Sequence, residues 1–262
     1  MKRQSIMSLV LLFLFCTMAF FPGCIINIGD SFKAKYERTV NLSAPLEGIT
    51  KLDVQTNVGS VTVKSADITS FDIIAMITVK ARTAEKAREL AEKVEITAKA
   101  FDDKLTIKAH RPSDLTESNL SVDFTVFAPR QLNLDCSANV GTVRISDFQG
   151  KIKASTDVGS IFCEKVQAGL NVHANVGSIE VRYADDAPAA FNAEVTTNVG
   201  SIEFEGPAKI SAKLSASTNV GSIETARQLT VVGAIGRSID TTISSAEGRI
   251  TLRTNVGSIK IK

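Results

Sequence analysis

Tryptophan is absent from this 262-residue sequence, tyrosine occurs twice, and aromatics make up only 6% of it. A core organised around large rings is therefore excluded, as is a binding site that stacks its ligand on an aromatic platform. Two histidines leave little material for acid–base or imidazole–metal chemistry. Four cysteines in a chain this long cannot form the dense disulfide framework of a small secreted domain. With 44% hydrophobic and 22% charged residues, the composition is nonetheless that of a folded chain.

The amino-terminal segment supplies an address. Lys2 and Arg3 precede an apolar run, 6–21, that ends at Pro22, Gly23 and Cys24. A charged start, an apolar centre and a small residue before the cut are the parts of a secretory signal. The run is short of the ~20 residues that span a bilayer. Because a Cys follows Gly23, the segment resembles a bacterial lipoprotein signal peptide. That resemblance implies removal of 1–23, lipidation of Cys24 and a tether over 24–35. Processing takes two of the 30 basic side chains and none of the 28 acidic ones, so the mature chain is neutral. A neutral chain has no electrostatic hold on nucleic acid, and none is expected as a partner.

A repeat dominates the remainder. Asn-Val-Gly-Ser followed by Val or Ile, or a close relative, occurs seven times, with its glycine at Gly59, Gly141, Gly159, Gly177, Gly200, Gly221 and Gly257. The intervals are 82, 18, 18, 23, 21 and 36 residues, and a degenerate copy falls at 234–239. Aligned on glycine, the positions seven and five before it are apolar, and those three before are only Thr or Ala. Val or Ile stands two after and mostly apolar residues four after, with polar residues between. This is the period-two pattern of strands with one buried face. The parity of the buried positions switches between the Val before the glycine and the residue two after it. Asn close to Gly turns a chain in that way, since both tolerate positive φ. Gly150, Gly169 and Gly248 mark a second corner.

Stacking of such units predicts an all-β parallel β-solenoid, or β-helix, of ~18-residue coils spaced ~4.8 Å apart. The 82-residue interval reads as strand (72–81), helix (84–94), strand (104–110) and strand (121–128). It is expected as a small α+β N-terminal capping element. The expected division is then 36–130 for the N-terminal strands, helix and first repeat, and 131–262 for the solenoid repeats. Cys136 and Cys163 are expected on facing strands as buried thiols, too far apart to bridge.

These features together resemble the bacterial β-strand-repeat domain of unknown function catalogued as a putative adhesin. The resemblance rests on the strand–helix–strand opening and on the stretch 126–161, where Pro129 after a strand leads into Gly-x-[IV] repeats, and it covers about 40–262. It implies a repeat fold and carries no catalytic residues across.

The regular row Asn57, Asn139, Asp157, Asn175, Asn198, Asn219 and Asn255 reads as a structural corner in which each side chain bonds a neighbouring rung. Glu180, Glu203 and Glu224, three residues after their glycines, form a candidate surface binding row. Carboxylates so stacked can hold Ca²⁺, yet Arg144 and Lys260 share the row, and a solvated face is the reading adopted. No metal ligands, catalytic residues or cofactors are assigned. His110 and His173 lack partners of metal-site type, and Asp185–Asp186 is the sole acidic pair in the repeats, so an enzyme is not expected. The function expected is an envelope-associated lipoprotein that binds or scaffolds, non-catalytically, with an envelope protein or a glycan as partner. Two competing readings are a surface-exposed adhesin for glycan or host matrix, and a polysaccharide-acting β-helix enzyme. Ile25 after the lipidated Cys implies, by resemblance, the periplasmic face of an outer membrane where the cell has two membranes.

Overall fold

The computed structural model describes residues 34–113, 115, 119–226 and 237–262. Alternation of buried and exposed side chains produces twenty strands and one helix. The first part runs β1 (Ala34–Pro45), β2 (Lys51–Val58), β3 (Val61–Ser65), β4 (Ser70–Ala81), α1 (Ala84–Glu92), β5 (Glu95–Phe101), β6 (Lys104–His110) and β7 (Leu120–Ala128). Strand pairs follow: β8 (Asn133–Val140) with β9 (Val143–Ser146), β10 (Ile152–Val158) with β11 (Ile161–Val166), and β12 (Leu170–Val176) with β13 (Ile179–Tyr183). The last are β14 (Asn192–Val199), β15 (Ile202–Glu205), β16 (Ala212–Val220), β17 (Ile223–Thr225), β18 (Ser238–Ile243), β19 (Gly248–Val256) and β20 (Ile259–Ile261).

The strands form two ten-stranded mixed sheets. Sheet A has the order β1-β4-β7-β3-β9-β11-β13-β15-β20-β17, and sheet B the order β18-β16-β19-β14-β12-β10-β8-β2-β6-β5. Their inward faces share one core of Leu, Ile, Val, Ala and Phe. Full burial of each such aliphatic side chain contributes roughly 1.5–3 kcal/mol. Each Asn-Val-Gly-Ser element carries the chain from sheet B to sheet A.

This architecture corrects the expected β-solenoid. The protein is all-β with two large mixed sheets, mostly parallel inside and antiparallel at β1/β4, β4/β7, β5/β6 and β16/β18. The strand pairs are also not laid down in chain order: β19 pairs with both β14 and β16, and β20 with both β15 and β17. Periodicity decides which face of a strand is buried but says nothing about which strand lies beside it. The 82-residue interval likewise feeds both sheets, β4 and β7 extending sheet A and β5 and β6 extending sheet B.

Helix α1 is started by Thr83, whose Oγ1 accepts from the Lys86 backbone N–H at 3.2 Å. Ala87, Leu90 and Ala91 are its buried stripe. Its C-terminal carbonyls at Ala91 and Glu92 accept from Arg38 Nη1 on β1, at 3.0 and 3.3 Å. Among the described residues no helix is long and apolar enough to cross a membrane.

Candidate functional site

Three surface features carry the polar chemistry of the molecule: the repeated corner, the glutamate row on sheet A, and a groove on sheet B.

At the corner the seven glycines have φ between +131° and +151°, which side chains rarely adopt. They also stand back to back. A Cβ on Gly177 would lie 1.5 Å from the Gly159 carbonyl oxygen, and one on Gly159 1.7 Å from that of Gly141. The N–H groups of Gly59, Gly141, Gly159, Gly177, Gly200 and Gly257 each donate to the valine carbonyl of the neighbouring rung, as from Gly159 to Val176 at 2.9 Å. The buried threonines three residues earlier complete the carbonyl. Thr197, Thr254 and Thr218 donate through Oγ1 to Gly177, Gly200 and Gly257 at 3.0, 2.9 and 2.9 Å. Thr156 does so to Gly141 at 3.2 Å.

Outside this spine the amides form a chain. Asn175 donates to Asp157 at 2.8 Å, Asn198 to Asn175 at 3.1 Å, Asn255 to Asn198 at 3.2 Å and Asn219 to Asn255 at 3.2 Å. Asn57 and Asn139 occupy the equivalent position at the other end of the row. The valines before the glycines correct the expected parity. Val140, Val158, Val176, Val199, Val220 and Val256 are 47–57% exposed, so the switch from inward to outward already follows the threonine. The turn itself spreads over Asn, Val and Gly, which is why the alternation ends one step earlier than its apolar residues suggest.

On sheet A, Glu180 and Glu203 sit on adjacent rungs, but Lys260 is paired with Glu203 on one side and Glu224 on the other. Insertion of β20 therefore interrupts the acidic stripe. Arg182 lies 2.5 Å from Glu180, 4.0 Å from Glu203 and 3.7 Å from Glu205. A hydrogen bond from Lys262 holds Glu203 below the usual carboxylate range, assisted by Lys260 and Arg182. The charges compensate one another in place. Among the described residues no cluster of three or more His, Cys, Asp or Glu is arranged around a cation position.

The groove lies on sheet B, where the chain returns from sheet A. It has a volume of about 950 Å³ and crosses the first residues of β2, β6, β8, β10, β12 and β14. Lys51, Lys104, Lys151 and Lys153 line it with Asn133, Asn171, Asn192, Gln149 and Gln167, and Asp53 and Asp135 are the lining acids. Tyr183 and Phe191 stack beneath it with centroids 4.1 Å apart, and the Tyr183 hydroxyl donates to the Ala168 carbonyl at 3.0 Å.

One row of this face is distinctive. The residue eight before each corner glycine is Lys51, Asn133, Lys151, Gly169, Asn192, Lys213 or Arg249. Strand register joins Lys51 to Lys104 and Asn133, Asn192 to Arg249, and Arg249 to Lys213, while Lys104 faces Phe101 at the outer edge. The row thus crosses the sheet without an acidic side chain. Phe101 is 76% exposed, the highest value among the large hydrophobic residues that are described. The signal for this row was present in the alignment on glycine, one position beyond the strand pattern, and was missed because position eight lies outside the buried alternation.

Cys136 and Cys163 are separate, fully buried thiols. Burial pushes Cys163 up to about 12 and Cys136 well above the usual thiol range. His173 bridges Thr196 Oγ1 at 2.8 Å and Asn175 Oδ1 at 3.1 Å, which ties it to the amide chain. His110 Nε2 lies 3.1 Å from Thr97 Oγ1. Cys24 lies outside the described residues.

No family model matches the chain, and no curated protein matches it. Among solved structures it is similar to a putative cell adhesion protein from Clostridium sporogenes, with 13% identity over 86% of this chain and 99% of that one, at a TM-score of 0.47. A putative adhesin from Bacteroides fragilis shares 16% identity over 86% of this chain and 97% of that one, at 0.44. A putative lipid binding protein from Parabacteroides distasonis has 10% identity over 86% and 97%, at 0.27. These values carry no argument about what the chain binds.

Proposed function

We propose that the chain is an exported envelope protein, anchored through a lipid on Cys24, whose two-sheet body binds or scaffolds an envelope component and catalyses no reaction. The observation that supports this reading is the groove on sheet B. It is about 950 Å³ in volume and lined by lysines, amides, Asp53 and Asp135 over an apolar floor that includes Leu170 and Phe191, on a frame whose rungs are locked by the glycine spine. Such a surface holds an extended polar partner by many weak contacts, without the matched acid–base pair that turnover requires.

The tether supports a place close to the membrane. Residues 25–33, which precede β1, would reach at most ~30–32 Å if fully extended, so the body stays near the leaflet that holds its lipid. With Ile25 after the lipidated Cys, that leaflet is the periplasmic face of the outer membrane in a two-membrane cell. Palmitate labelling of the wild type and of Cys24→Ser tests the anchor. Label in the wild type alone, with the variant released to the soluble fraction, is the expected result. Protease treatment of intact cells tests the side. Survival of the protein alongside a periplasmic control is expected, whereas its selective removal replaces this reading with that of a surface adhesin.

A further inference from the structure

We infer that the uninterrupted row on sheet B is a binding site for a linear anionic polysaccharide lying across the strands, a ligand class that deepens the binding role proposed above. The argument starts from register. Phe101, Lys104, Lys51, Lys151, Arg249 and Lys213 stand in one line over nine of the ten strands of sheet B, with amides and a glycine in the places between. At ~4.8 Å per strand the line is ~40 Å long. That spacing is close to the advance of one sugar residue in an extended chain, so successive rungs meet successive residues.

Charge gives the sign of the ligand. Lys51 is partly engaged by Asp103 at 3.2 Å and Lys104 by Asp53 at 3.4 Å. Among the described residues Lys151, Arg249 and Lys213 have no carboxylate partner, and all three are exposed. Three free cations on one line, Lys151 separated by Gly169 and Asn192 from the adjacent pair Arg249 and Lys213, suit a polymer with intermittent carboxylates or sulfates. The line's one aromatic, Phe101, stands at its outer end, where an exposed ring suits the face of a terminal sugar. Nucleic acid is the poorer fit, because single-stranded bases need repeated stacking platforms along the path.

Fluorescence anisotropy of the full-length protein in neutral detergent tests the site. The probes are a labelled oligogalacturonate that spans the row, a neutral maltooligosaccharide of equal length and a single-stranded oligodeoxynucleotide. Oligogalacturonate is expected to bind, with an affinity that falls as salt rises. The double variant Lys151→Glu, Arg249→Glu should weaken it by about tenfold or more and flatten the salt dependence, with an unchanged thermal melt. Phe101→Ala should weaken it about threefold, and Lys260→Glu on the opposite sheet should leave it unchanged. Equal binding of the neutral sugar, equal binding of the oligonucleotide, or insensitivity to the double variant overturns the site. Any of these results leaves the anchoring and protease experiments standing, so the site and the envelope role fail separately.

Discussion

The chain passes between the same two sheets at two sides of the body, and the two crossings are built on opposite principles. At the Asn-Val-Gly-Ser side the crossings share a plan, with a positive-φ glycine at every rung, a threonine-to-glycine-carbonyl bond at four of them and an amide chain running from rung to rung. At the other side the turns differ in length and composition, and the Tyr183–Phe191 stack packs there. Hydrogen-bonded repetition leaves no freedom to vary a rung, because each depends on the shape of its neighbours. A side packed by individual apolar contacts tolerates insertion, and there the chain opens a groove. The regular side holds the frame and the irregular side carries the surface that differs from rung to rung.

Substitutions at equivalent glycines break this comparison most directly. Gly177→Ala puts a Cβ 1.5 Å from the Gly159 carbonyl at a φ of +147°. It should cost about 3–5 kcal/mol, from strain and overpacking together. Gly169→Ala, on the groove side, meets the Asn192 carbonyl at 3.0 Å with no positive φ, and should cost about 1 kcal/mol or less. Thermal melts decide it, and equal losses would mean the two sides are equally constrained. Phe191→Ala removes half of the groove-side stack and should cost about 3 kcal/mol, leaving the corner's amide protection from hydrogen exchange intact.

Alkali is expected to act on the interior behind the groove. Tyr183 is pushed up, first by burial and then by Cys163, and both cysteines are raised by burial. Unfolded thiols ionise near 9 and the folded Cys163 thiol near 12. Above pH 9 the unfolded chain therefore binds fewer protons than the folded one, and stability falls as pH rises toward 12. Below pH 9 these groups add no slope. Cys163→Ala should flatten the alkaline decline of the melting temperature. Smaller again is Thr197→Val, which deprives the Gly177 carbonyl of its 3.0 Å donor and should cost about 1 kcal/mol. Smallest is Asn198→Ala, which interrupts an exposed amide chain, with an expected loss of about 0.5 kcal/mol.

Much of the local structure could be read without coordinates. Inward positions such as Val172 and Ile179 follow from alternation, and α1 is found at Ala84–Glu92 inside the expected 84–94. What could not be read was adjacency. Nothing in residues 248–261 says that they slot between two earlier strand pairs, because all copies of the repeat present the same edge and any two can pair. The interrupted glutamate row and the row of cations both depend on that order. The overturned solenoid has the same origin, since stacking in chain sequence was assumed where the edges allowed any order. The half-exposed valines were misread for another reason: an apolar side chain beside a turn obeys the turn's geometry before it obeys the alternation.

The slot taken by β19 and β20 has a consequence for the order of events during synthesis. A chain that grows from its amino end presents residues 212–225 well ahead of 248–261. Until the later segment arrives, β14 and β15 carry open edges, and β16 has β18 as its single sheet neighbour. The identical edges that allow insertion also allow β14 to meet β16 directly, which would leave the final strands without a place. Correct assembly therefore depends on that gap staying open until β19 and β20 emerge, and both sheets become continuous only then.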